Sequence, residues 1–151
     1  MEILPLKYLG YTIALQEVPN EISLILNISG CPWHCKGCHS QYLWNYDGRL
    51  VKEDLLSLIN KYKDMISCVC FMGGDQNLDE LSEHLSLIKS LNLKTCLYTG
   101  FDMIPPISKD LLDYVKIGKY QEELGCLTSP TTNQHMYNLQ TNEEIFFYKK
   151  E

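Results

Sequence analysis

Three cysteines lie close together early in the sequence, and thiols at this spacing are typical metal ligands. Cys31, Cys35 and Cys38 have the spacing C-x3-C-x2-C within the run Cys-Pro-Trp-His-Cys-Lys-Gly-Cys. Three thiolates on one short loop suit three corners of an iron–sulfur cubane. The run contains no fourth cysteine. One metal ion would therefore keep an open coordination position, which catalysis by a metal requires.

Three other interpretations of this loop compete. A structural zinc site could add His34 or His39, although zinc ligands usually form two pairs separated by a dozen or more residues. A plain electron carrier normally completes its cluster with four cysteines. The cysteines could also simply pack, but a polar loop that contains Pro and Gly offers little core.

Four further cysteines lie outside the loop: Cys68, Cys70, Cys96 and Cys126. Cys68 and Cys70 share one face of a predicted strand, and Cys96 lies on the next strand. Four thiols could hold a second cluster. Buried apolar strands are also where inert cysteines are common, and this core interpretation is favoured.

A second unusual segment, Gly73-Gly74-Asp75, follows a short apolar run. Glycines after a strand let a ligand approach the backbone, because no Cβ stands in the way. By itself this segment is equally typical of an ordinary strand-to-helix turn. Its place at the end of the next parallel strand after the cysteine loop favours a binding role.

Hydrophobic patterns predict the strands and helices that position these segments. Helical spacing begins at Val51 and again at Leu78, where Asn77 is a predicted N-cap with Glu80 three residues later. Ser108 is predicted to cap a short third helix. Apolar and β-branched runs predict strands over 8–17, 21–28, 65–71, 94–98 and 114–117.

This alternation predicts an α/β fold with a parallel sheet and helical crossovers. The loops at the carboxyl ends of parallel strands gather at one edge, where α/β folds bind ligands. We expect a single domain over 1–151, with an N-terminal strand extension over 1–20. Residues 121–151 would form a tail, in which 136–139 and 145–148 pair as a hairpin.

Composition and charge exclude some classes of function. The net charge is −6 and Arg49 is the only arginine, whereas nucleic-acid binders usually show a basic stripe. No uncharged apolar run is long enough for a membrane span, and the first twenty residues lack the apolar core of a secretory signal. We therefore expect a cytoplasmic protein that binds neither nucleic acid nor membrane, with its cysteines reduced or ligating.

The cysteine run after the first buried strand of an α/β chain resembles the radical S-adenosylmethionine superfamily. The longer run through His39, followed by Tyr42-Leu-Trp44, is similar to the small activating enzymes of anaerobic ribonucleoside-triphosphate reductase. Gly37 stands where the superfamily often has an aromatic residue, and these activating enzymes commonly have glycine. Asp75 and the segment Thr131-Thr132-Asn133-Gln134 also resemble that subgroup.

The resemblance implies a site and a reaction. Cys31, Cys35 and Cys38 would hold one [4Fe–4S] cluster, whose open iron binds S-adenosylmethionine. Reductive cleavage of S-adenosylmethionine would give a 5′-deoxyadenosyl radical, with no catalytic residue beyond the cluster and the cofactor. The implied cofactor contacts are Gly37, His39, Gly73, Gly74, Asp75 and Thr99.

The resemblance also implies partners and a fold. The substrate would be the glycyl-radical subunit of anaerobic ribonucleotide reductase, and the electron donor a flavodoxin-type protein. The fold would be a partial, open (β/α) barrel-like parallel sheet of the radical S-adenosylmethionine type, because the chain is shorter than the roughly 200 residues of a closed barrel. The open side would admit a protein substrate.

Other functions remain open at this point. The chain could activate another glycyl-radical enzyme, or be a small radical enzyme of modified-base synthesis. Outside the enzymes, the same loop suits an iron–sulfur electron carrier or a zinc-binding module.

Overall fold

One eight-stranded sheet dominates the fold. The computed structural model describes residues 3–15, 17–31 and 41–147. In this part of the chain the strands have the order β3-β1-β2-β4-β5-β6-β7-β8. Their bounds are β1 Lys7–Ala14, β2 Ser23–Ile28, β3 Arg49–Leu50, β4 Cys68–Met72, β5 Lys94–Tyr98, β6 Tyr114–Ile117, β7 His135–Asn138 and β8 Glu143–Ile145.

Parallel pairing joins the four central strands, β2, β4, β5 and β6. Antiparallel strands flank them on both sides, with β1 and β3 beyond β2, and β7 and β8 beyond β6. The prediction of an α/β fold is confirmed, but the sheet is mixed rather than wholly parallel. The connections from β1 to β2 and from β7 to β8 are too short for the crossover that parallel neighbours require.

Two helices, α1 (Val51–Tyr62) and α2 (Leu78–Ser90), pack against the same face of the sheet. Their apolar stripes are buried as the periodicity predicts. The predicted N-cap of α2 is confirmed, because the Asn77 side chain accepts from the Glu80 N–H at 3.2 Å. Neither helix is long and apolar enough to cross a membrane, within the described residues.

The opposite face of the sheet carries a second apolar cluster. Ile25 faces this cluster, whereas its neighbours Leu24 and Leu26 face the helices. Burial on both faces explains why β2 reads as a nearly continuous apolar run. Val18, in the connection between β1 and β2, covers part of this face and is itself fully buried.

The prediction of a short third helix at Ser108 is wrong. The structure has a single turn there, in which the Leu111 N–H donates to the Ser108 carbonyl at 2.9 Å. The Thr95 hydroxyl of β5 donates to the Leu111 carbonyl at 2.7 Å, so a helical N–H does not use that acceptor. Asp113 is also drawn to β5, where it accepts from the Thr95 N–H at 3.0 Å. These long-range bonds outweigh the local capping signal.

Asp54 forms a polar contact with Tyr8 of β1 and Arg49 of β3. Hydrogen bonds from Arg49, and then from Tyr8 at 2.7 Å, lower the pKa of Asp54 to about 2. Burial, and then the bond to Asp54, raises the pKa of Tyr8 to about 12. These contacts join β1 and β3 to the first turn of α1.

Replacing Asp54→Asn should destabilise the protein at neutral pH and matter less in acid. Because the folded-state pKa of Asp54 lies below its ordinary 3.8, its stabilisation is complete above about pH 4 and is lost as the pH falls toward about 2. Urea unfolding of both proteins between about pH 7 and about pH 3 measures the difference. Asp64→Asn, at an exposed position after α1, is the control. A difference that does not change with pH would contradict this assignment.

Candidate functional site

The base of the cysteine loop is closed by hydrogen bonds between its two ends. Ser29, directly after β2, donates from its hydroxyl to the Asp47 carbonyl at 2.6 Å and accepts from the Asp47 N–H at 3.0 Å. The Cys31 N–H donates to the Leu43 carbonyl at 2.9 Å. The described residues before and after the loop are therefore joined to each other beside the end of β2.

Cys31 lies half-buried at the start of this loop. The other predicted residues of the loop, Cys35, Gly37, Cys38 and His39, lie outside the described residues. The structure thus describes where the loop is anchored, and their metal-binding and cofactor-binding roles stay predictions.

The Gly73-Gly74-Asp75 segment follows β4, the neighbour of β2 in the sheet. Gly73 and Gly74 have φ angles of 99° and 113°, which other residues rarely adopt. The Gly73 N–H donates to the Tyr98 carbonyl of β5 at 3.0 Å. The two glycines therefore let the backbone turn sharply at the strand end, and the turn is attached to the next strand.

Asp75 is held by Thr99 at the end of β5. The Thr99 hydroxyl donates to Asp75 Oδ2 at 2.6 Å and accepts from the Phe101 N–H at 3.1 Å. Thr99 is 2% exposed, so the bond is protected from water. One carboxylate oxygen is thereby fixed in orientation, while Asp75 itself remains partly exposed.

Gln76 is a residue that the sequence reasoning missed. Its side-chain oxygen accepts from the Gly74 N–H at 3.1 Å, and its side-chain nitrogen donates to the Ser29 carbonyl at 3.1 Å. Its place directly after Gly-Gly-Asp was the only sequence signal, because contacts with Ser29 span 47 positions.

These contacts bring Ser29–Cys31, Gly73–Asp75 and Thr99 together at one edge of the sheet. The three segments follow β2, β4 and β5, which are parallel neighbours, so their carboxyl ends lie side by side. The predicted convergence of the strand ends is therefore present in the described residues. It is the edge at which open α/β sheets bind ligands.

Two open cavities adjoin this edge. One, of about 360 Å³, is lined by Gly30, Tyr46, Gln76 and the N-terminal segment 3–6. The other, of about 470 Å³, begins at Asp75 and continues along the apolar segment 101–106. Both have room for parts of a small molecule, and both touch residues that the sequence singled out or their direct neighbours.

Lys116 of β6 is a buried charged group on the face of the sheet opposite α1 and α2. Lys116 is 8% exposed and donates to the Gly118 carbonyl at 3.1 Å. Its ammonium lies 5.3 Å from the centre of the Tyr98 ring, within range of a cation–π contact. Burial raises the pKa of Tyr98, so the phenol stays neutral beside the ammonium.

The segment Thr131–Gln134, which the sequence marked without a role, closes the loop after β6. The Asn133 side chain donates to the Lys119 carbonyl at 3.1 Å, and the Gln134 side chain to the Gly118 carbonyl at 3.3 Å. A Cβ at Gly118 would approach the Asn133 carbonyl to 2.6 Å, so only glycine fits there. The segment therefore has a structural role at the same edge of the sheet.

The cysteines outside the loop do not form a second metal site in the described residues. Cys68, Cys70 and Cys96 are fully buried in the apolar cluster on the helix-free face. Burial raises the pKa of Cys68 and of Cys96, which keeps both thiols protonated. Cys126 is exposed in a turn. The core interpretation of the three strand cysteines is confirmed by their complete burial in that apolar cluster.

The residues present fit an iron–sulfur cluster. Three thiols within eight residues are soft ligands of the kind that such clusters use. The first of them, Cys31, is anchored by its backbone just after the end of β2 and is only half-buried. The Gly73-Gly74 turn follows the neighbouring strand β4 and ends at the same edge of the sheet.

Comparison with known proteins agrees with this site. Residues 22–140 match the 4Fe–4S single cluster domain family, so the chain belongs to that family. The match includes the cysteine loop, Gly73–Asp75 and Thr99. The chain is also similar to the anaerobic ribonucleoside-triphosphate reductase-activating protein of Enterobacteria phage T4. The identity is 27% in an alignment of 129 residues that covers 76% of this chain and 83% of the phage protein. The resemblance to iron–sulfur activating proteins is thereby confirmed.

Replacing Ser29→Ala should loosen the base of the cysteine loop. The change removes the side-chain partner of the Asp47 carbonyl and N–H, and each lost hydrogen bond costs about 0.5–1.5 kcal/mol of the free energy of unfolding. Urea unfolding of the metal-free protein measures the loss, and iron uptake should fall with it. Ser90→Ala, which removes an exposed hydroxyl bond within α2, is the control. Unchanged stability and iron uptake would contradict the closed-loop interpretation.

Replacing Thr99→Val should release Asp75 without changing the shape of the core. The carboxylate loses its O–H donor and the Phe101 N–H loses its acceptor, so the free energy of unfolding should fall by about 1–3 kcal/mol. Thr99→Ser keeps the hydroxyl and should retain most of the stability. If the serine variant were as unstable as the valine variant, packing rather than the hydrogen bond would explain the effect.

Proposed function

We propose that this chain is an activating enzyme of the radical S-adenosylmethionine type, which generates a glycyl radical on an anaerobic ribonucleoside-triphosphate reductase. The observation that carries the proposal is the meeting of two segments at one sheet edge. The cysteine loop is anchored at the end of β2, and the Gly-Gly-Asp turn follows β4 beside it. The similarity to the reductase-activating protein of phage T4 supports the choice of reductase as the partner.

The three thiols of Cys31, Cys35 and Cys38 would hold three irons of a [4Fe–4S] cluster and leave the fourth for a ligand. When bound, the cluster supplies one electron that cleaves S-adenosylmethionine into methionine and a 5′-deoxyadenosyl radical. The cofactor carries this hard step, and the protein binds and orients it.

The described residues have suitable groups for the methionine end of S-adenosylmethionine. The Gly73-Gly74 turn lies at the end of β4 beside the start of the cysteine loop, and Gly73 is partly exposed there. Asp75 has one oxygen held by Thr99 and can accept from an ammonium group with the other. Thr99 thus acts through Asp75, and Gly37 and His39 complete the proposed set of contacts.

A protein substrate fits the arrangement of the sheet. The outermost strands, β3 and β8, do not pair with each other in the described residues, so the sheet there is not closed into a barrel. This arrangement is compatible with a partial, open (β/α) barrel-like sheet. A glycine-bearing loop of a large partner could then approach the strand ends, and a flavodoxin-type protein would supply the electron.

Anaerobic reconstitution with iron and sulfide tests the cluster. We expect about four irons per wild-type chain and a large loss in Cys35→Ala, because that variant lacks one of the three thiolate ligands. Cys126→Ala, which changes an exposed thiol outside the loop, should bind iron as the wild type does. Retention of four irons in Cys35→Ala would reject the cluster assignment.

The loaded protein then tests the reaction and the partner separately. With dithionite and S-adenosylmethionine it should produce 5′-deoxyadenosine, which chromatography detects, and absence of the product would reject the radical chemistry. Addition of an anaerobic ribonucleoside-triphosphate reductase should give the electron paramagnetic resonance signal of a glycyl radical. Cofactor cleavage without that signal would leave the chemistry intact and exclude this partner.

A further inference from the structure

Gln76 connects the two segments of the proposed site through one side chain. Its amide nitrogen donates to the Ser29 carbonyl, and its amide oxygen accepts from the Gly74 N–H, each at 3.1 Å. Ser29 precedes Cys31 by two residues, and Gly74 is the centre of the Gly-Gly-Asp turn. The bridge therefore runs from the end of β2 to the loop that follows β4.

The chemistry of this bridge requires a primary amide. A backbone carbonyl needs a donor and a backbone N–H needs an acceptor, and glutamine has both on one end. Glutamate would accept from Gly74 but place a second oxygen against the Ser29 carbonyl. Methionine has a similar length and forms neither bond. The residue at this position is thus chosen by hydrogen bonding rather than by packing, since Gln76 is exposed.

Each of the two bonded groups has further side-chain contacts, and the bridge joins these contacts beyond the last backbone pairing of β2 with β4. Ser29 is held by Asp47, and the turn is held by Thr99 through Asp75. Gln76 joins them across the sheet edge. A shift of one segment relative to the other would stretch both bonds of the amide.

We propose that Gln76 is a positioning residue that sets the separation between the start of the cysteine loop, Ser29–Cys31, and the Gly-Gly-Asp turn, so that one ligand can contact both. The inference rests on the proposed function, in which S-adenosylmethionine binds the open iron and the turn at once. Gln76 acts through Ser29 and Gly74, and an error of about 1 Å in such positioning is enough to reduce catalysis strongly.

Amide hydrogen exchange of the metal-free protein tests the bridge without any activity. In Gln76→Met the Gly74 N–H loses its acceptor, so its exchange should accelerate about tenfold or more. In Gln140→Met the same change removes side-chain bonds to the Lys109 and Leu112 carbonyls, which precede β6 at the opposite sheet edge. This control should leave Gly74 exchange unchanged. Equal exchange at Gly74 in the wild type and Gln76→Met would overturn the bridge.

Cofactor binding to the iron-loaded variants tests the positioning. We expect Gln76→Met and Gln76→Glu to keep the iron content of the wild type and to bind S-adenosylmethionine about tenfold more weakly, as the loss of one or two hydrogen bonds allows. The spectrum of the reduced cluster without S-adenosylmethionine should be unchanged. Addition of S-adenosylmethionine should shift this spectrum, and in the two Gln76 variants the shift should require a correspondingly higher concentration of the cofactor. Gln140→Met should behave as the wild type.

The other outcomes separate the inference from the function on which it rests. Wild-type affinity in both Gln76 variants would overturn the positioning role and leave the proposed function standing. Loss of iron in both would show that Gln76 serves the folding of the cysteine loop, which also overturns it. A wild-type protein that holds iron but binds no S-adenosylmethionine would reject the proposed function itself, and the positioning role with it.

Discussion

Parallel pairing of β2, β4 and β5 is the constraint on which the site depends. The register aligns Asn27 with Met72 and Met72 with Tyr98, so the three strands end at the same level. The segments that follow these three strands therefore lie at one edge of the sheet, although they are far apart in sequence. Apolar burial on both faces holds this register, because a shift by one residue would turn buried side chains to the wrong face.

Polar contacts then refine what the register brings together. The N-terminal segment before β1 is attached to α2 by bonds from the Leu6 N–H to Glu80 at 3.1 and 3.2 Å, and by the Asn77 amide to the Leu4 carbonyl at 3.1 Å. The Tyr46 hydroxyl donates to the Pro5 carbonyl at 2.6 Å. This segment forms a wall beside Gly30 and Gln76. The start of the cysteine loop therefore has the N-terminal segment beside it, in addition to the hydrogen bonds that join Ser29 to Asp47 and Cys31 to Leu43.

The same residue type lies in two different environments in this chain. Cys68, Cys70 and Cys96 lie on central strands, where burial disfavours the charged thiolate and the thiols serve as small apolar groups. Cys31 lies where the backbone leaves the sheet and is partly exposed. A thiolate ligand requires such an exit from the core. Counting cysteines alone would not have distinguished the two groups.

Local patterns in the sequence were sufficient for the regular elements. The stripes of α1 and α2, the Asn77 cap and the buried strands depend on residues within a few positions of one another, so propensity and periodicity report them directly. The meeting of the cysteine motif and the Gly-Gly-Asp motif at one edge of the sheet could also be predicted, because strand order constrains where strand ends can lie. The family resemblance then indicated the type of reaction.

Only the tertiary structure decided the remaining features, because they depend on contacts between distant residues. The helix predicted at Ser108 is replaced by a turn, since Thr95 takes the Leu111 carbonyl. Gln76 and Thr99 gain their roles from partners 47 and 24 positions away. A side-chain amide or hydroxyl has no sequence period, so its partner appears only when the chain has folded. The sequence by itself determined which groups could do the chemistry, and the packed sheet decided which of them meet.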